Sequence, residues 1–498
     1  MTVTRPRRTP VLDRRRLGVL LHPSSLPGGG LKGTMGAHAR RFVDVLAAAG
    51  ASVWQVLPLG PPGDGSPYNS RSAHAGDVTL IDLEDLVERG WVAPAEAKAG
   101  MTDAAAQAGA LKAGYQRFRE HADPADHAAF QEFRAQHAAW LQDYCAYECI
   151  KAQYGAAPWW QWPAALKDRD PQALAVYAQP ASCEAVAFTQ FVFFRQWRAL
   201  RDYAAARGLR FFGDMPIFVA HDSADVWAHR DLFVLDADGR PEIVTGVPPD
   251  YFSAQGQRWG NPHYRWARMA ADGFTWWRER VRTQRELFDW LRIDHFRGFA
   301  ASWAIPASAP TAASGEWMPV PGDALLGALQ DALGDLPLVA EDLGVITDDV
   351  TALRDRYELP GMRVLQFGFD GNPGNPHLPH NYVTNSVAYT GTHDNDTTVG
   401  WYGALSASER AIVRDYLPDA EADPAWSAMR AVIASVAALA VVPWQDVLSL
   451  GNGARMNTPG MIVGNWGFRF RWEDVATAIP ARLARLAFLY GRIAQSSR

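Results

Sequence analysis

The chain has 498 residues, 48% hydrophobic and 20% charged, with a formal net charge of −6 at pH 7. Such a composition excludes a disordered or low-complexity polymer, and the length suits one large α/β unit carrying insertions. No apolar run reaches membrane-spanning length and the charge balance is acidic, so neither a membrane nor a nucleic acid is an expected partner.

The amino terminus is basic (Arg5, Arg7, Arg8, Arg14, Arg15, Arg16) but lacks the apolar segment and small-residue cleavage site of a secretory signal. It reads as a solvated tail, and the cytoplasm is the expected location. Three cysteines, Cys145, Cys149 and Cys183, cannot build a disulfide framework and fit a reducing compartment. Cys145 and Cys149 stand one helical turn apart among aromatic residues, so burial in a helix is expected rather than metal binding.

Eight short apolar runs follow in order, at residues 17–21, 52–57, 209–212, 290–294, 336–341, 362–367, 386–390 and 447–450. Helical patterns fall between and after them, at 36–49, 184–207, 275–288, 349–357, 410–417 and 474–490. Most of the runs are continuously apolar instead of alternating, as strands covered by helices on both faces must be. Eight such strands in β-then-α order predict an α/β fold, a (β/α)8 TIM barrel. Residues 61–182 are too many for one crossover and predict an inserted, mainly helical subdomain. A second insertion spans 220–271, and a third, helical, spans 395–443 before the last strand, with a capping box at Ser406-Ala407-Ser408-Glu409. No linker separates independent domains, so 1–498 reads as a single catalytic unit.

Asp294, Glu341 and Asp394 each lie at or just beyond the end of one of these runs. Barrel strands deliver their carboxyl ends to one cleft, so the three carboxylates should converge there. Two carboxyl groups suffice to cleave a glycosidic bond, one protonating the leaving oxygen and one attacking carbon, with a third as helper. Asp294 is the expected nucleophile, because Arg292 on the same strand face offers it a counter-charge. Glu341 is the expected acid/base: apolar Leu338, Val339 and Ala340 precede it, and desolvation raises a carboxyl pKa. Asp394 is the expected transition-state stabiliser. His295 and His393 are expected to donate hydrogen bonds without shuttling protons. A single Asp after a strand is usually a cap or ion-pair partner, the role expected for Asp342 and Asp396. Twenty tryptophans offer flat faces for sugar rings, although a large core also uses them. No phosphate loop with lysine occurs, and Asp394-Asn395-Asp396 lacks the spacing of a calcium loop, so no cofactor or metal is expected.

The chain resembles the 4-alpha-glucanotransferases of the amylomaltase (disproportionating enzyme) family within the alpha-amylase-like superfamily. The resemblance rests on Gly213-Asp214-Met215-Pro216-Ile217-Phe218-Val219, Arg292-Ile293-Asp294-His295-Phe296-Arg297-Gly298, Ala340-Glu341-Asp342-Leu343-Gly344 and Gly391-Thr392-His393-Asp394-Asn395-Asp396-Thr397-Thr398, and it extends from Gly18 to Trp466. It implies a barrel without a separate carboxyl-terminal beta domain and the same three catalytic positions. It also implies sugar-binding roles for Asp214, Arg292, His295, His393 and Asn465. Gly246-Val247-Pro248-Pro249-Asp250-Tyr251-Phe252 matches a lid segment of the family, with Tyr251, Phe252 and Trp259 as stacking faces. Ser66, Tyr68, Gln257 and Trp259 are further expected substrate contacts. The expected reaction moves alpha-1,4-glucan segments between malto-oligosaccharides, donor and acceptor alike, through a covalent glycosyl-enzyme with retention. The alternatives are a retaining hydrolase of the alpha-amylase kind and a glycan-binding protein without turnover. Two departures stand out: Gly30-Leu31-Lys32-Gly33-Thr34-Met35-Gly36 lacks an aspartate usual in relatives, and Asp77 replaces an expected asparagine.

Overall fold

The computed structural model describes residues 13–28, 30–177, 181–249, 254–461 and 463–493. Eight parallel strands form the barrel: β1 (Arg16–Leu20), β2 (Val53–Gln55), β3 (Arg210–Pro216), β4 (Trp290–Asp294), β5 (Leu338–Ala340), β6 (Gly361–Val364), β7 (Ser386–Tyr389) and β8 (Leu439–Pro443). Hydrogen-bonded neighbours run β6-β7-β8-β1-β2-β3-β4-β5. Ala340 N donates to Pro360 O at 2.8 Å and draws the two edge strands together.

The strands are apolar on both faces because both are covered. Leu20, Val53, Phe212, Val339, Val387 and Val441 pack inside the barrel. The alternate positions Val19, Trp54, Phe211, Leu291, Ala340 and Ala440 join the larger core beneath the helices. Gly18 answers crowding inside: a Cβ there would sit 3.2 Å from the side chains of Val441 and Val53. The helix Ala37–Ala48 returns β1 to β2 and buries Phe42, Val43 and Leu46. Four helices, Pro94–Thr102, Ala104–His121, Pro124–Gln136 and Ala138–Gln153, lie between β2 and the long helix Ala181–Ala205 that leads to β3. The Ser406 capping box forms, with Ser406 Oγ accepting from Glu409 N. No helix among the described residues is long and apolar enough to cross a membrane.

The eighth strand corrects the sequence reading. It is Leu439–Pro443, so residues 439–443 belong to the barrel and not to the helical segment before it, while 447–450 begin on the last residue of the short helix Trp444–Val447 and continue as the turn beyond it. A four-residue apolar run fits a helical turn as well as a strand, and here Pro443 ends the strand and opens the turn. A second, unforeseen sheet is antiparallel: Gln257–Pro262 pairs with Ile243–Val247, that strand with Ala301–Pro306, and the last with Glu316–Pro319. Residues 220–271 therefore share a sheet with residues beyond β4. Cys149 and Cys183 are paired as a disulfide, contrary to the expected reduced state, whereas Cys145 is free and buried as expected. Arg15 and Arg16 are not part of a solvated tail. Arg15 Nη1 donates to Ser435 O at 2.7 Å, and Arg16 opens β1 at 8% exposure. Arg5, Arg7, Arg8 and the lid residues Asp250, Tyr251 and Phe252 lie outside the described residues.

Candidate active site

Strand register assembles the site. Ile293 of β4 pairs with Ala340 of β5, so Asp294 and Glu341, one residue further on, leave adjacent strand ends. Neighbouring strands are about 4.8 Å apart, which sets the backbone separation of the two carboxylates. Asp214 of β3 pairs with Arg292 of β4, and Pro216 with Asp294. Because side chains alternate along a strand, Asp214, Arg292, Asp294 and Glu341 all fall on the barrel's inner face. Asp394 lies in the turn between β7 and the helix Thr398–Ala404.

Arg292 ties two of these carboxylates together. Its Nη1 donates to Asp214 Oδ1 and Oδ2 at 2.8 and 2.7 Å, and its Nη2 stands 2.9 Å from Asp294 Oδ1. Burial disfavours the guanidinium charge, but Asp214 and Asp294 outweigh it and hold the Arg292 pKa well above its ordinary value. Tyr68 Oη donates to Asp214 Oδ2 at 2.7 Å. Burial and the Asp214 charge raise the Tyr68 hydroxyl, so it stays a donor.

Glu341 has a different environment. Its Oε2 accepts from His295 N at 2.7 Å and its Oε1 from Leu343 N at 2.9 Å. Even so, burial raises its pKa to about 7, with Arg292 opposing and Asp294 reinforcing the rise. His295 adopts φ 57°, a left-handed conformation costing about 1–2 kcal/mol for a non-glycine residue, and this turn aims its N–H at Glu341. Burial pushes the His295 imidazole down to about 4, so it is neutral, and its Nε2 has no partner among the described residues. Asp394 is the opposite case. Partial desolvation within the cleft would raise its pKa, but the His393 charge, the hydrogen bond from His393 Nε2 (3.2 Å) and one from Asn457 Nδ2 (2.6 Å) together hold it well below the usual range. Asp342 and Asp396 pair as expected, with Arg354 and Arg455 respectively.

Ser66, Tyr68, Gln257, Trp259, Asp294, His295, His393 and Asp394 line one cleft of about 460 Å³. Tyr68 stacks on His393, ring centroids 5.1 Å apart, and the Trp259 ring meets His295 edge-on at 4.8 Å. Asp214 and Arg292 lie beneath this wall, 1% and 5% exposed, and reach it through Tyr68 and Asp294. Glu341 stands at the adjacent strand end. Asn465 is not brought to the wall: its Oδ1 accepts from Thr458 N, and its Nδ2 donates to Thr458 O and Met461 O, closing its own loop. The sequence reading missed Asn457, Pro459 and Gly460, which also line the cleft. The Asn-x-Pro-Gly turn after the last strand could have marked them, since loops at that end of a barrel face its cleft. Among the described residues no group of His, Cys, Asp or Glu is arranged to hold a metal.

A protonated carboxyl near neutrality, beside a carboxylate paired with arginine and a third held by histidine, is a constellation suited to acetal chemistry. The family model described as 4-alpha-glucanotransferase matches residues 21–475. A 4-alpha-glucanotransferase of Thermus thermophilus is 50% identical, covering 95% of this chain and 98% of that protein. A chloroplastic/amyloplastic 4-alpha-glucanotransferase of Arabidopsis thaliana is 43% identical, covering 97% and 86%. The structure of an amylomaltase from Streptococcus agalactiae in complex with acarbose superposes with a TM-score of 0.91 at 35% identity, covering 96% of this chain and all of that one. The family's transfer chemistry, rather than hydrolysis, is thus the activity this architecture carries, and the chain belongs to the 4-alpha-glucanotransferase family.

Proposed function

We propose that the chain transfers alpha-1,4-glucan segments between malto-oligosaccharides by double displacement, with Asp294 as nucleophile, Glu341 as acid/base and Asp394 as stabiliser. The observation carrying this reading is the contrast between Glu341, raised to about 7 at the end of β5, and Asp294, ion-paired to Arg292 at the adjacent end of β4. In the first displacement an Asp294 oxygen attacks the anomeric carbon, the glycosidic C–O bond breaks, and the Glu341 proton passes to the leaving glucan oxygen. In the second, Glu341 takes the proton of an acceptor hydroxyl, whose oxygen attacks the same carbon and releases Asp294. Two inversions retain the configuration. Asp394 grips sugar hydroxyls as the ring flattens, while Ser66, Tyr68, Gln257 and Trp259 hold the chain, and Trp259, 39% exposed, offers its indole to the cleft for stacking.

Incubation with maltotriose alone tests the reaction: a ladder of longer glucans together with glucose is expected, and glucose and maltose without a ladder would mean hydrolysis. Asp294→Asn and Glu341→Gln should each abolish the ladder while the far-ultraviolet circular dichroism stays unchanged. Normal product formation by either variant would remove that residue from its role.

A further inference from the structure

We propose that Asn457, on the loop after β8, is a positioning residue for the transfer reaction: it fixes the orientation of the Asp394 carboxylate by donating to the oxygen that His393 leaves free. The inference rests on the role given to Asp394 under Proposed function. Each Asp394 oxygen has its own partner. Oδ2 lies 3.2 Å from His393 Nε2, and Oδ1 accepts from Asn457 Nδ2 at 2.6 Å. The backbone reinforces this pairing: Asn457 N donates to His393 O at 3.1 Å, and Arg455 Nη2 donates to Asp394 O at 2.8 Å. Arg455 Nε also donates to Asn457 O at 3.2 Å, and Arg455 is ion-paired with Asp396, so the two loops are bound at both ends of the carboxylate.

Asn457 itself lines the cleft with Asp394, whose side chain is 43% exposed. A carboxylate that exposed rotates freely about its last bond unless both oxygens are held. The amide is a neutral donor and leaves the Asp394 charge intact for sugar hydroxyls, whereas a second cation on Oδ1 would compete with them. The charged and titratable groups facing Asp394 are His393 on its own turn, Arg292 on β4 and Tyr68 on the turn after β2, with Arg455 on its backbone oxygen.

The test compares Asn457→Ala, Asn457→Asp and Asp394→Asn with the parent enzyme in maltotriose transfer across pH 4.5–8. Asn457→Ala should lower kcat by about 10²-fold, the scale of a small misplacement of a reacting group, with little change in KM. Asn457→Asp places a second carboxylate against Asp394, so its deficit should exceed that of Asn457→Ala at pH 7 and shrink toward pH 5, where the new carboxyl takes a proton and donates again. A kcat unchanged in Asn457→Ala beside an inactive Asp394→Asn overturns the positioning role alone. Equal, pH-independent deficits in the two Asn457 variants reduce the residue to a structural one and also overturn it. An active Asp394→Asn removes the underlying reading of Asp394 and the inference with it.

Discussion

Arg292 holds Asp214 and Asp294 from a position that is 5% exposed, and Asp214 has no exposed side-chain surface at all. Removing the arginine strands a buried carboxylate, so Arg292→Met should destabilise the fold by about 3–5 kcal/mol in denaturant unfolding and abolish transfer. Arg292→Lys keeps the charge but not the fork that reaches both acids, and should fold better than Arg292→Met while remaining poorly active. Glu341 makes a pH-dependent contribution of known sign. Its folded pKa is raised from 4.5 to about 7, so its stabilising contribution is complete below pH 4.5 and lost as pH rises through 7. Glu341→Gln escapes that loss, about 3 kcal/mol, but gives up one of two backbone acceptor contacts, about 1 kcal/mol. The variant's thermal midpoint should therefore rise relative to the parent between pH 5 and pH 8, and the parent's kcat/KM should fall with an alkaline midpoint near 7. The two departures from the family pattern meet in space: Lys32 Nζ stands 3.9 Å from Asp77 Oδ2, so the charge added at one is answered at the other.

The turn between β7 and the helix Thr398–Ala404 carries His393 and Asp394, and a single buried carboxylate pins its two ends. Thr390 Oγ1 and Thr398 Oγ1 each donate to Asp446 Oδ2 at 2.6 Å, and Thr398 N donates to Oδ1 at 2.8 Å. Asp446→Ala would leave these donors buried without an acceptor, a loss of about 2–4 kcal/mol. Thermal unfolding should register it, together with a kcat loss larger than the KM change. At the other end of the barrel, Arg492 is fully buried and donates to carbonyls of Ile433 (2.6 Å), Arg16 (2.8 Å) and Ala437 (3.0 Å), tying the chain end to β1 and the segment entering β8. Strands with strong apolar runs, such as β1 and β4, were legible because burial on both faces imposes that pattern directly. β8 was not, since Ala437, Ala438 and Ala440 dilute its apolar run and resemble the helix before it. The antiparallel sheet was hidden for another reason: Trp303 and Trp317 face each other there, a pairing between residues distant from Gly246 in sequence.

One hydrophobic core runs through barrel helices and inserted helices alike, joining Leu46 and Leu291 to Trp91, Phe118, Phe130 and Tyr147. Among its described residues the insertion thus has no separate core, and calorimetry should show one cooperative transition; two resolved peaks would mean that the insertion is an independent domain. The sequence by itself determined the parallel barrel, through the seven buried strands β1 to β7 that its apolar runs locate in β-then-α order, and the candidate carboxylates, because Asp294 and Glu341 follow directly on their apolar runs. It also determined the polarity of the site, since carboxyl ends of parallel strands share one rim. Only the tertiary structure decided that Arg292 bridges Asp214 and Asp294, that Asn457 reaches Asp394, that Asn465 turns inward to its own loop, and that Cys149 meets Cys183. Those contacts depend on register, turn geometry and side-chain direction across long stretches of chain. Periodicity reports which face of an element is buried, and it carries no record of what stands opposite.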